Sequence, residues 1–130
     1  MARDRILIVE GLPSTALAHA AEIEKAGYEA VVVYSGDAAL EAVSQNPAFG
    51  AIMLDLQLPD THGLDWLRSK PEILELYPVI LTTADASLST AIESMRIGAF
   101  DYLVKPIAGT RLTSALAVVT GPHRVVRVVC

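Results

Sequence analysis

Apolar positions fall in five short runs, separated by longer segments of helical period. The first run, "RILIVE" over 5–10, is continuous and rich in branched residues, as expected of a strand covered on both faces. Further strands are expected over 29–34 ("EAVVVY"), 51–55 ("AIMLD"), 79–82 ("VILT") and 100–104 ("FDYLV"). Between the first two, Pro13 and Ser14 open an Ala-rich helix, with Ser14 as the expected N-cap and Gly27 as its stop. A turn at 35–37 leads to a short helix over 38–44, closed by Asn46 and Pro47. Pro59 and Gly63 punctuate the loop "LQLPDTHG". A helix over 64–76 should be interrupted at Pro71, which removes a backbone donor. The last helices are expected over 87–97, stopped by Gly98, and over 110–119.

Strands alternating with helices indicate an α/β domain, a (βα)5 doubly wound five-stranded parallel sheet. Parallel neighbours need crossover helices on both faces, and the loops at the carboxyl ends of the strands then gather at one edge, where ligands bind. The expected division is a domain over 1–120 and a tail or start of a linker over 121–130.

A length of 130 residues suffices for a hydrophobic core, and 52% hydrophobic against 19% charged residues argues against disorder. The net charge of -5 disfavours direct binding of nucleic acid, which needs clustered Lys and Arg. Cys130 is the single cysteine, so no intramolecular disulfide or thiolate cluster is expected. The amino-terminal run is too short for a signal peptide and no stretch is long enough to span a bilayer, so the expectation is a cytoplasmic protein without a membrane partner.

The chemistry lies at the strand ends. Glu10 follows the first strand, Asp55 the third, Thr83 and Asp85 the fourth, and Lys105 the fifth. A carboxylate such as Asp55 can attack a phosphoryl group to form an acyl phosphate. The charge of that group calls for a metal ion and cationic or hydroxyl donors, roles open to Lys105 and Thr83. Glu10 and Asp55 suit a hard cation such as Mg²⁺. Each residue alone has an ordinary explanation: strand-end acids cap loops, a threonine ends a strand, a lysine is solvated. Their coincidence after four strands favours the site. His19, His62 and His123 lack metal-ligand spacing. His62 is a candidate to face the site, Trp66 to pack at the third helix, and Met53 and Met95 to fill the core.

The segments "ILIVE", "AIMLDLQLPDTHGLDWL", "PVILTTAD" and "GAFDYLVKP" resemble, in order and spacing, the receiver domains of two-component response regulators over about 5–119. The last segment is most similar to receivers of enhancer-binding transcription activators. The resemblance implies a flavodoxin-like receiver fold and a phosphorelay switch, self-phosphorylating and autodephosphorylating rather than a turnover enzyme. It implies Asp55 as phosphoacceptor, Thr83 as switch hydroxyl, Lys105 as partner of the phosphoryl oxygen, and Pro106 after what is usually a cis peptide. Tyr102 matches the aromatic switch position, and Gln57 and Asp85 match positions that tune dephosphorylation. Mg²⁺ would be held by Glu10, Asp55 and the Gln57 backbone carbonyl. The implied partners are a sensor histidine kinase or phosphotransfer protein, an output domain or protein acting in transcription, and a second copy through the face between the fourth and fifth helices.

Gly11 departs from the pattern, which has a second acid there. Its absence removes an oxygen ligand and weakens Mg²⁺ binding. Either Glu10, one methylene longer than Asp, reaches the metal itself, or Gly11 lets the loop take a path of positive φ. An alternative function follows: a pseudo-receiver, a protein-interaction module independent of phosphorylation. A small hydrolase or flavin protein is a third reading. It is disfavoured because Gln57 stands where a phosphatase would need its general acid, and the loop after the first strand lacks the glycine and hydroxyl density of a flavin phosphate site.

Overall fold

A computed structural model describes residues 5–121, so the expected tail beyond Gly121 lies outside the described residues. The elements are β1 (Arg5–Val9), α1 (Pro13–Lys25), β2 (Glu29–Val33), α2 (Gly36–Gln45), β3 (Ala51–Asp55), α3 (Gly63–Ser69), α4 (Pro71–Leu76), β4 (Val79–Thr83), α5 (Leu88–Arg96), β5 (Asp101–Val104) and α6 (Gly109–Thr120). The strands form one sheet in the order β2-β1-β3-β4-β5, and every pairing is parallel. The order reverses direction at β1 and β3, which places a crevice at the carboxyl ends of these two strands.

Strand β1 shows why its apolar run is uninterrupted. Ile6 and Ile8 point into a core closed by Ala20 and Ile23 of α1 and by Leu112, Leu116 and Val119 of α6. Leu7 and Val9 point into the opposite core, with Ala39 and Val43 of α2, Leu64 and Leu67 of α3, and Ile73 of α4. Successive side chains of a strand face opposite ways, so a sheet covered on both sides needs apolar residues at every position.

Two expected helix stops are met by geometry. Gly27 and Gly98 have φ of 102° and 107°, the left-handed region that a side chain disfavours. Pro71 divides the expected helix over 64–76 into α3 and α4, occupying the first turn of α4, where its missing N–H costs nothing. The N-cap assigned to Ser14 is corrected: Leu12 holds that position and Pro13 takes the first helical turn. The Leu12 N–H instead donates to Glu10 Oε2 at 3.1 Å. The expected turn at 35–37 is the start of α2, with Ser35 as N-cap accepting from the Ala38 N–H.

Asp60, in the loop after β3, accepts from the N–H groups of Gly36 (2.9 Å) and Asp37 (3.0 Å). These donors hold its carboxyl below the usual range. Trp66 closes the same junction, its Nε1–H donating to the Gly36 carbonyl at 3.1 Å. The loop carrying the residues after Asp55 is therefore tied to a helix that precedes it in the chain. A Cβ on Gly36 would stand 2.7 Å from Trp66 Cδ1 and 2.9 Å from Thr61 Cγ2. Gly36→Ala is expected to destabilise the domain by about 1–3 kcal/mol through overpacking, read in urea or thermal melts. Wild-type stability in that variant would contradict the packing described here.

Candidate functional site

The crevice gathers four of the expected side chains. Glu10, just beyond β1, is 1% exposed, Asp55 at the end of β3 is 3% exposed, and Thr83 at the end of β4 is 0% exposed. Lys105, just beyond β5, pairs with Glu10 Oε1 and lies 3.2 Å from Asp55 Oδ2. Its backbone N–H donates to the Thr83 carbonyl at 2.8 Å, and the peptide to Pro106 is cis. Asp55 Oδ1 accepts from the Gln57 N–H at 3.2 Å. The Thr83 hydroxyl donates to Gln57 Oε1 at 3.2 Å and accepts from the Asp85 N–H at 3.0 Å. Asp85 thus meets the site through its backbone. Tyr102 sits beside Leu81 in the β4–β5 register and packs on the α2–α4 side of the sheet, its hydroxyl buried with no hydrogen-bond partner.

Two carboxylates share one ammonium in a buried place, and their titrations separate. For Glu10, burial alone would raise the pKa, but hydrogen bonds from Lys105, Asp55 and the Leu12 N–H together hold it below the usual carboxylate range. Asp55 is pushed up to about 6 by burial first and then by its hydrogen bond with Glu10, against the opposing charge of Lys105.

Gly11 is where an oxygen donor is missing. Its φ is not positive, so the expectation of a glycine-dependent loop path is corrected. A Cβ at this position would stand 3.0 Å from Pro59 Cδ and 3.9 Å from the Gln57 carbonyl oxygen. An acid here is therefore a matter of a small shift of Pro59, and it would start close to the carbonyl expected to face a metal. Among the described residues no group of three or more His, Cys, Asp or Glu could hold a metal ion. The donors present still suit Mg²⁺ in kind: two carboxylates and a carbonyl, all hard oxygens, for an ion that keeps several waters. Glu10, Asp55 and the Gln57 carbonyl are the groups that would hold it, and Lys105 already engages both carboxylates.

Other expectations are placed elsewhere. His62 is spent as the N-cap of α3, its Nδ1 accepting from the Leu64 N–H at 3.2 Å, and does not join the site residues. Trp66 is buried at α3, as expected, and Met53 lies in the core, but Met95 is 50% exposed on α5. Asp60 and the Gln57 amide are structural links without a local sequence signal. Their partners lie 23–26 residues away, and no local spacing marks them. His19 of α1 is buried against a cavity of about 610 Å³ that Lys105, Pro106 and Ile107 also line. Burial, and then the charge of Lys105, hold its pKa below the usual value.

Asp55 binds a proton more tightly when folded, near pH 6, than in the unfolded chain near 3.8. Its contribution to stability is therefore present at low pH and lost as pH rises through about 6. His19, held neutral, acts with the opposite sign, so the comparison must be between variants. In EDTA, Asp55→Asn should gain on the wild type by about 2 kcal/mol between pH 4.5 and 7.5. A stability difference that does not change with pH would show that Asp55 ionises freely.

Three comparisons place this geometry. The family model described as the response regulator receiver domain matches residues 6–117. The regulatory protein LuxO of Vibrio cholerae is 34% identical over 105 residues, covering 81% of this chain and 23% of that protein. The transcriptional regulatory protein CutR of Streptomyces coelicolor is 37% identical over 108 residues, covering 83% and 49%. The chain thus spans less than half the length of these curated relatives. A signal receiver domain from Vibrio parahaemolyticus superposes with a TM-score of 0.83 at 30% identity, covering 92% of both chains. A response regulator receiver domain from Clostridium thermocellum does so with a TM-score of 0.83 at 26% identity, covering 92% and 96%. The flavodoxin-like sheet order and the match over nearly the whole chain agree, and the chain belongs to the response regulator receiver domain family.

Proposed function

We propose that the domain accepts a phosphoryl group on Asp55 from a sensor histidine kinase or phosphotransfer protein and passes the change to an output partner. The observation that carries this reading is the Asp55 carboxylate, buried at the crevice with Lys105 at 3.2 Å on one oxygen and the Gln57 N–H at 3.2 Å on the other. Lys105 is placed to follow a phosphoryl oxygen, because that oxygen would carry more charge than the carboxylate it replaces. Mg²⁺, when bound by Glu10, Asp55 and the Gln57 carbonyl, would neutralise the incoming charge. Thr83 and Tyr102 then act as the switch pair, and the domain is a switch rather than a turnover enzyme.

Transcriptional output is supported by the names of the relatives, and the finer kinship with enhancer-binding activators is an inference of the same kind. The face between α5 and α6 offers a surface for a second copy: Leu88 is 77% exposed, and Ile92, Met95, Phe100 and Val104 are also exposed. Among the described residues no helix is long and apolar enough to cross a membrane, which is compatible with a cytoplasmic setting.

A pseudo-receiver is the second reading. It is favoured by the missing acid at Gly11 and by the pairing of both carboxylates with Lys105. In that case Asp55→Asn would leave binding of the output partner unchanged.

Acetyl phosphate with Mg²⁺ separates the two. The wild type should gain the mass of one phosphoryl group, and Asp55→Asn should not. Absence of labelling under conditions that label another receiver would leave the pseudo-receiver standing. Gly11→Asp should tighten Mg²⁺ binding about tenfold or more, since it adds a hard oxygen ligand. Calorimetric titration reads this directly, and an unchanged affinity would remove Gly11 as the cause of a weak site.

A further inference from the structure

We propose that the Gln57 side chain is a latch on the Thr83 hydroxyl, holding the switch in its resting position until a phosphoryl group displaces it. The proposal rests on the reading of Asp55 as phosphoacceptor. Gln57 grips both residues. Its backbone N–H donates to Asp55 Oδ1 at 3.2 Å, while its side-chain Oε1 accepts the Thr83 hydroxyl proton at 3.2 Å. An isolated bridge pairs it with His62, so its main chain is held on the far side as well.

The Thr83 hydroxyl has one proton to give. The Asp85 N–H already points at its oxygen from 3.0 Å, which directs that proton away from Asp85 and toward Gln57. Thr83 is wholly buried, so water offers no ready substitute acceptor. Donation to a phosphoryl oxygen on Asp55 and donation to Gln57 are therefore mutually exclusive. The charged phosphoryl oxygen is the stronger acceptor. The residue Gln57 is itself exposed, so its released amide finds water and the latch opens at low cost. Gln57 acts through Thr83 and is a positioning residue. Its side chain sets how much of the phosphoryl interaction is consumed in freeing the hydroxyl, while its carbonyl remains available to a metal.

The test uses Gln57→Met, which keeps length and removes the acceptor, and Gln57→Glu, which restores an acceptor oxygen. In the unphosphorylated protein, the Thr83 methyl carbon shift and the Asp85 amide resonance report the hydroxyl's rotamer and partner. Both should depart from the wild type in Gln57→Met and return toward it in Gln57→Glu. Beryllofluoride with Mg²⁺, a phosphoryl mimic, should bind Gln57→Met about three- to tenfold more tightly than the wild type, the worth of one neutral hydrogen bond. In a Thr83→Ala background the same substitution should change the affinity less than about twofold, because the latched group is gone. Resonances of Thr83 and Asp85 unmoved by Gln57→Met would overturn the latch, as would an affinity gain that persists without the Thr83 hydroxyl. A wild type that binds no beryllofluoride would refute the phosphoacceptor reading alone, and the resonances would still decide the latch.

Discussion

The site depends on one cation holding two buried acids. Glu10 and Asp55 end adjacent parallel strands, so the sheet brings their carboxylates together whether or not a ligand is present. Two carboxylates at 1% and 3% exposure would repel each other strongly, and Lys105 from the far end of the sheet relieves this by pairing with both. The remaining imbalance appears in Asp55, whose proton is retained to about pH 6. A metal ion or a phosphoryl group entering here must therefore redistribute an existing charge network. Lys105 is also tied to the neighbouring strand, its own backbone N–H donating to the Thr83 carbonyl.

A second layer of constraint ties the loop after Asp55 to the rest of the domain. Asp60 caps α2, His62 caps α3, and Trp66 closes the contact with Gly36. These bonds satisfy N–H groups at the starts of α2 and α3 and tie the loop after Asp55 to α2. Polar residues that look like loop punctuation in the chain are thus structural. Tyr102 contrasts with them: its buried hydroxyl lacks a partner, leaving an unsatisfied polar group beside β4.

The fold was largely legible because its signals are local. Alternation of apolar runs with helical segments specifies strands and helices, Gly27 and Gly98 supply the positive φ that ends two helices, and Pro71 divides another. The helix caps were less legible. Ser14 has the right chemistry for an N-cap, yet Pro13 takes the first turn because its ring already has the helical φ. Met95 reads as core by composition, but α5 leaves it on the surface with Leu88 and Ile92.

By itself the sequence determined the parallel α/β class and which residues stand at the carboxyl ends of the strands, since strand ends and acid positions are properties of short segments. It also determined that an acid is missing at Gly11. Only the tertiary structure decided that Lys105 bridges both acids, that the Thr83 hydroxyl is spent on Gln57, and that Gly11 leaves room for a side chain without needing a left-handed backbone. The physical reason is distance along the chain. Glu10 and Lys105 are 95 residues apart, and Thr83 and Gln57 are 26 apart. Such pairs are set by sheet order and burial, and no local pattern of residues encodes them.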